Sequence, residues 1–177
     1  MSLNEKETRT QLIEPAVRSA GWEFDSELLI GPGRVNFNGD NADSMYDPTQ
    51  AIVADYLLRF RGVPLAIIEA KAESVDAEDG IQQGSRYADR LMIRHSIATN
   101  GHVWILTDNT TGERETFSGP PRPQDIVDRM GVTIDWDCWE GAFAASYHVD
   151  QVTQKKTRPY QAMAIAKPLW EFAQGKA

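Results

Sequence analysis

The chain has 177 residues and a mass of 19.8 kDa, enough for one domain at about 150 residues each, and its 41% hydrophobic and 25% charged residues are ordinary for a globular protein. Lys and Arg number 18 against 26 Asp and Glu, a formal net charge of −8, which excludes a polybasic nucleic-acid binder held by phosphate neutralisation alone but not an enzyme that clusters carboxylates around a metal. A single cysteine, Cys138, excludes an internal disulfide framework and a Cys-rich zinc site, and with no apolar run of membrane-span length and no signal-peptide core a soluble cytoplasmic protein without membrane contact is expected.

The first segment, Asn4 to Ala20, carries Leu12, Ile13, Ala16, Val17 and Ala20 at helical spacing and stops at Gly21. Pro15 interrupts it, which predicts a kink or two short helices meeting there. Trp22 to Ile30 can form a short strand. Gly31 to Thr49 is rich in Gly, Asn, Asp and Pro and reads as a long loop. Ala51 to Phe60 and Leu65 to Ala70 are apolar runs joined by Arg61-Gly62-Val63-Pro64, the pattern of a β-hairpin. Both runs are apolar on both faces, as in strands covered on both sides. Asp79 to Met92 predicts a helix with Ile81, Tyr87, Ala88 and Leu91 inward. His95 to Thr99 and His102 to Leu106, joined by Asn100-Gly101, predict a second hairpin. Asp108 to Gly119 is polar. Short helices are expected at Pro123 to Met130 and Trp136 to Tyr147. Val149 to Thr157 reads as a linker, and a last amphipathic helix carries Met163, Ile165, Leu169, Trp170 and Phe172.

Two carboxylates stand inside the apolar hairpin: Asp55 and, after thirteen intervening residues, Glu69 in Glu69-Ala70-Lys71. A buried carboxylate is costly unless paired or metal-bound, and two on neighbouring strands repel each other unless a cation lies between them. Two carboxylates and a backbone carbonyl, here that of Ala70, suit Mg²⁺. Glu69 and Lys71 point to one face of a strand, so Lys71 can hold the attacking water or stabilise charge on a phosphate. On the next helix Gln83 and Tyr87 are four apart and share a face; an amide and a phenol there can orient a phosphate or a water. The bland alternatives are a buried Glu69–Lys71 ion pair and a core tyrosine beside a solvated glutamine. His95, His102 and His148 lack metal-ligand spacing, Gly31-Pro32-Gly33 is not a nucleotide loop, and Cys138 lacks a basic neighbour that would activate it.

Asp55, Glu69-Ala70-Lys71 and Gln83-x-x-x-Tyr87 together resemble the PD-(D/E)xK nucleases that carry a Gln-x-x-x-Tyr motif. Four segments in order look more narrowly like the N-terminal region of the restriction (motor) subunit of type I restriction–modification enzymes: Glu7-Thr8-Arg9 through Leu12-Ile13 to Gly21-Trp22, then Ala54-Asp55-Tyr56-Leu57-Leu58, Ile68-Glu69-Ala70-Lys71, and Gln83 through Tyr87-Ala88 to Thr99-Asn100-Gly101. The resemblance covers roughly residues 5 to 110. It implies a carboxylate from the first helix near the metal, with Glu7 and Glu14 both candidates; Asp43 and Asp47 in the long loop are further possible contacts. Arg158-Pro159-Tyr160-Gln161-x-x-Ala164-Ile165 looks like the segment before the Walker A loop of superfamily 2 helicases, where Gln161 would contact adenine. No Gly-x-x-x-x-Gly-Lys-Ser/Thr occurs in the chain, so ATP is expected only for a longer subunit.

The expected architecture is α/β: a restriction-endonuclease-like core with a mixed central sheet flanked by helices, and a helical C-terminal extension. The expected division is a nuclease domain over 1–148, a linker over 149–157, and the start of a truncated translocase domain over 158–177. The resemblance implies a Mg²⁺-dependent endonuclease that cuts double-stranded DNA without reading sequence, beside methylation and specificity subunits. The alternatives are a non-catalytic docking module of that assembly and a stand-alone resolvase-like nuclease.

Overall fold

The computed structural model describes residues 2–30, 52–131, 134, 136 and 137. The loop expected over Gly31 to Thr49 with Asp43 and Asp47, most of the Trp136 to Tyr147 helix, Cys138, His148, the 149–157 linker, and the 158–177 helix with Gln161 lie outside these residues.

The N-terminal helical run comprises α1 (Glu5–Thr8), a π-helical turn (Arg9–Ile13) and α2 (Glu14–Ser19). Asn4 starts it through a capping box: its side chain accepts from the Glu7 N–H and the Glu7 carboxylate accepts from the Asn4 N–H, each at 3.0 Å. As the sequence suggests, two short α-helices flank this point, and Pro15 stands at the start of the second, with the π-helical turn between them. The wide π turn lies just ahead of it, where a proline would otherwise lack a hydrogen bond and press on the carbonyl four residues back.

Among the described residues the sheet has six strands: β1 (Glu23–Ile30), β2 (Ile52–Phe60), β3 (Val63–Ala70), β4 (His95–Thr99), β5 (Trp104–Asp108) and β6 (Arg114–Phe117). They lie side by side in chain order. Only β3 and β4 pair in parallel; the other neighbours are antiparallel. The crossover between β3 and β4 carries a 3₁₀ turn (Ala77–Gly80) and α3 (Ile81–Leu91), as a parallel connection requires. After β6 a further helix, α4, spans Pro123–Arg129.

Three local expectations need correction. The β2–β3 turn is only Arg61-Gly62, with φ of 50° and 78°, so β3 starts at Val63 and includes Pro64. Pro64 is tolerated because the ladder shifts register between Leu58 and Arg59, next to its partner Arg59. The Asn100-Gly101 turn is longer than two residues, because the Asn100 side chain accepts from both the His102 and Val103 N–H groups and delays β5 until Trp104. The polar stretch after Asp108 contains strand β6, an exposed edge whose Arg-Glu-Thr-Phe pattern has no apolar run to signal it.

The sheet is covered on both faces. On one, Ile13 and Val17 of the N-terminal run and Ile126 and Val127 of α4 pack with Tyr56, Leu58, Ile68, Ile97, Trp104 and Leu106. On the other, Tyr87 and Ala88 of α3 pack with Leu57 and Ile67. Burial of each large apolar side chain contributes about 1.5–3 kcal/mol. The β2–β3 hairpin is buried from both sides, and the two unusual carboxylates stand toward its open end.

Candidate active site

Register brings the acids together. Tyr56 pairs with Ile68 and Leu57 with Ile67, and one more step along this antiparallel ladder sets Asp55 across from Glu69. Glu69 and Ala70 are the last residues of β3 and pair with Ala98 and Thr99 of parallel β4. The site therefore lies beyond the carboxyl ends of the parallel pair, where open α/β sheets hold their ligands.

The Asp55 Oδ2 accepts the Ala70 N–H at 2.7 Å, and its Oδ1 lies 3.3 Å from Nη1 of Arg9. Burial pushes the Asp55 carboxyl above its ordinary value; the Ala70 N–H and the Arg9 charge pull against this, and Glu5 adds to the rise. Glu69 is 3% exposed. Its Oε1 accepts from Lys71 Nζ at 2.8 Å, while its Oε2 is buried without a hydrogen-bond partner. Burial raises the Glu69 pKa to about 7 against the opposing Lys71 hydrogen bond, and the Asp55 charge raises it further. Burial works against the Lys71 ammonium, but Glu69, then Glu5 and Asp55, outweigh it and hold its pKa above the ordinary value.

Lys71 Nζ also donates to Gln83 Oε1 at 3.4 Å, and Gln83 Nε2 donates to the Tyr87 hydroxyl at 2.7 Å. The i, i+4 pair on α3 thus reaches the β3 lysine through one amide. Gly80 and Gly84 let this segment close on the strand. A Cβ on Gly80 would lie 3.2 Å from Glu69 Cγ and 3.3 Å from Lys71 Cε, and one on Gly84 would lie 3.4 Å from Glu69 Cβ.

The first-helix carboxylates divide in a way that sequence spacing did not reveal. Glu7 is engaged in the capping box. Glu14 Oε1 accepts the Tyr56 hydroxyl at 3.2 Å, and its Oε2 lies 3.6 Å from Arg18. Glu5, overlooked at the sequence level, is the acid of this helix whose charge acts on Asp55, Glu69 and Lys71 together. The Asn4-x-x-Glu7 capping signal was the available clue, because it places Glu5 in the first helical turn.

Among the described residues no group of three or more His, Cys, Asp or Glu is arranged to hold a metal ion. The donors present nevertheless suit a hard divalent cation: two facing carboxylates, one with a buried oxygen that none of the described residues satisfies.

The molecule is thus a mixed α/β sheet with an acid–acid–lysine cluster at the end of its parallel pair. Residues 42–115, which hold Asp55, Glu69, Lys71, Gln83 and Tyr87, match the family described as type I restriction enzyme R protein N terminus. The chain is 30% identical over 185 residues to the type I restriction enzyme EcoAI endonuclease subunit of Escherichia coli, an alignment covering 99% of this chain and 22% of that protein. The fragment structure of an HsdR subunit of a type I restriction enzyme from Vibrio vulnificus YJ016 matches with a TM-score of 0.70 and 32% identity, over 99% of this chain and 34% of that one. The chain is similar over nearly its whole length to type I restriction subunits, and over residues 42–115 to their N terminus, and it spans about a fifth of the length of the curated relative. No described helix is long and apolar enough to cross a membrane.

Proposed function

We propose that this chain is the Mg²⁺-dependent DNA nuclease module of a type I restriction subunit, with a PD-(D/E)xK site. The observation that carries the reading is the pairing of Asp55 with Glu69 at a strand end, where Glu69 Oε2 is buried and unsatisfied beside the Lys71 ammonium. Asp55 and Glu69 would hold the cation, with the Ala70 carbonyl and a first-helix acid as further donors; Glu5 joins Glu7 and Glu14 as a candidate for the last. A bound Mg²⁺ supplies Lewis-acid stabilisation of charge on the scissile phosphate and its leaving oxygen.

The chain's own residues divide the remaining work. Lys71, held between Glu69 and Gln83, places a positive N–H donor where a phosphate oxygen or the attacking water would lie. In hydrolysis the water oxygen adds to phosphorus as the phosphorus–oxygen bond to the departing sugar breaks. The water's proton leaves to solvent or a neighbouring base, and the leaving oxygen takes one up. Gln83, locked by Tyr87, fixes the direction of Lys71. No described side chain of this site is proposed to read bases, so sequence choice is assigned to a partner subunit of an assembly that also holds methylation and specificity subunits. The proposed organisation is a nuclease domain over 1–148, a linker over 149–157 and the start of a translocase segment at 158–177, with ATP acting only in the longer subunit and Gln161 contacting its adenine. A cytoplasmic location accompanies the same reading.

The test is Lys71→Ala in the assembled complex. Loss of DNA cutting by at least about 100-fold, with ATP-driven translocation retained, is expected. Unchanged cutting would favour the docking-module alternative.

A further inference from the structure

Arg9 and Asp55 are both largely withdrawn from solvent, with side chains 16% and 13% exposed. Arg9 Nε donates to the Tyr56 hydroxyl at 3.1 Å, and its guanidinium carbon lies 4.9 Å from the centre of the Tyr56 ring. Tyr56 in turn donates to Glu14, which faces Arg18. A chain of contacts therefore runs from the first helix to the carboxylate: Arg18, Glu14, Tyr56, Arg9, Asp55.

Arg9 opens the π turn. The extra residue in such a turn rotates the helix on its N-terminal side by about 100° relative to the helix on its C-terminal side. Arg9 is thereby carried to the strand end while Ile13 and Val17 stay in the core. Arg9 Nη1 lies 3.3 Å from Asp55 Oδ1, longer than the distance of a tight charge-assisted pair. Asp55 also keeps the Ala70 N–H, and Arg9 keeps Tyr56, so each has another partner if they separate.

We infer that Arg9 is the resident counter-ion of Asp55, a positioning residue that an incoming divalent cation must displace; this role rests on the metal-dependent nuclease reading. Without metal, the guanidinium neutralises Asp55 and holds its carboxylate beside Glu69. A cation binding there meets a like charge, so Arg9 weakens metal loading by the chain alone. DNA relieves this, because a phosphate is a good alternative partner for a displaced guanidinium. The arrangement ties metal occupancy to the arrival of substrate.

The experiment measures Mn²⁺ binding to the 177-residue chain by electron paramagnetic resonance, without DNA, for wild type, Arg9→Gln, Arg9→Lys and Asp55→Asn. Arg9→Gln is expected to tighten binding by roughly fivefold, the scale of one partly screened charge pair. Arg9→Lys should stay within about twofold of wild type, and Asp55→Asn should lose the site. Damage to the fold cannot produce tighter binding; if Arg9→Gln does not fold, Arg9→Met carries the same test. If Asp55→Asn abolishes Mn²⁺ binding but removing the Arg9 charge leaves it equal or weaker, the counter-ion role is overturned while the metal reading stands. If binding is indifferent to Asp55→Asn and Glu69→Gln in every background, the metal reading fails and the role of Arg9 fails with it.

Discussion

Lys71–Glu69 and Arg94–Asp108 are ion pairs of nearly equal length, 2.8 and 2.7 Å, at different places on the same sheet. Electrostatically they are opposites. Arg94 reaches Asp108 with both Nε and Nη2, and the N–H groups of Thr110 and Thr111 donate to its other oxygen. The Arg94 hydrogen bond leads in lowering the Asp108 pKa to about 2, against slight burial. Glu69 receives one ammonium, leaves an oxygen unsatisfied, and has its pKa raised to about 7 by burial. A carboxylate with every lone pair engaged is structural. One that is buried, crowded by a second acid and only half satisfied costs stability, and such sites are retained where the chemistry uses them.

The contrast is tested most severely by replacing each acid with its amide. Asp108→Asn should cost about 2 kcal/mol at pH 7, because it leaves Arg94 without its charged partner. Glu69→Gln should leave the metal-free protein equally stable or more stable at pH 8, since glutamine stands in for the protonated acid that burial favours. Urea midpoints of the two variants read the difference directly. An equal loss in both would mean that Glu69 is an ordinary structural acid.

A second prediction concerns pH. The folded-state pKa of Glu69, about 7, lies above its ordinary value of 4.5. The stability it contributes is therefore full below pH 4.5 and is lost as pH rises to about 7. Asp108 runs the other way: its contribution is present above 3.8 and is lost as pH falls through about 2. Denaturation across roughly pH 4 to 8 without metal should show a decline that Glu69→Gln flattens, with a change on the order of 1–2 kcal/mol. A profile unaltered by Glu69→Gln would rule out the raised pKa.

The smallest expected effect is that of Gly80→Ala. The added Cβ presses on Glu69 Cγ and Lys71 Cε at 3.2 and 3.3 Å, and on Ala98 Cβ at 3.2 Å. A loss of stability below about 1 kcal/mol is expected, with a several-fold loss of Mn²⁺ affinity. The difference between the two readouts separates crowding at the site from general damage.

Much of the fold was legible because its signals are local. The apolar runs of β2 and β3 and the spacing on α3 each reflect a preference that a few neighbouring residues set. The misplaced elements are those that a distant partner decides. Pro64 is accepted in a strand because β2 shifts register opposite it, and the polar residues 114–117 become a strand because β5 offers them an edge. The π turn before Pro15 likewise has no pattern that hydrophobic periodicity could show.

The same division holds at the site. The candidate residues can be read along the chain: two acids in apolar strands, a lysine two residues beyond the second, and Gln83 and Tyr87 one helical turn apart. Residue type and strand or helix period are enough to nominate these. What those groups touch is a matter of the folded molecule. Folding gave Asp55 to Arg9 and Ala70, linked Lys71 to Tyr87 through Gln83, left Glu69 Oε2 without a partner, and brought Glu5 rather than Glu7 or Glu14 into the field of all three site residues. The physical reason is that electrostatics and burial depend on distance in space, and the first helix meets the β2–β3 hairpin across roughly fifty residues of chain, where no local period operates.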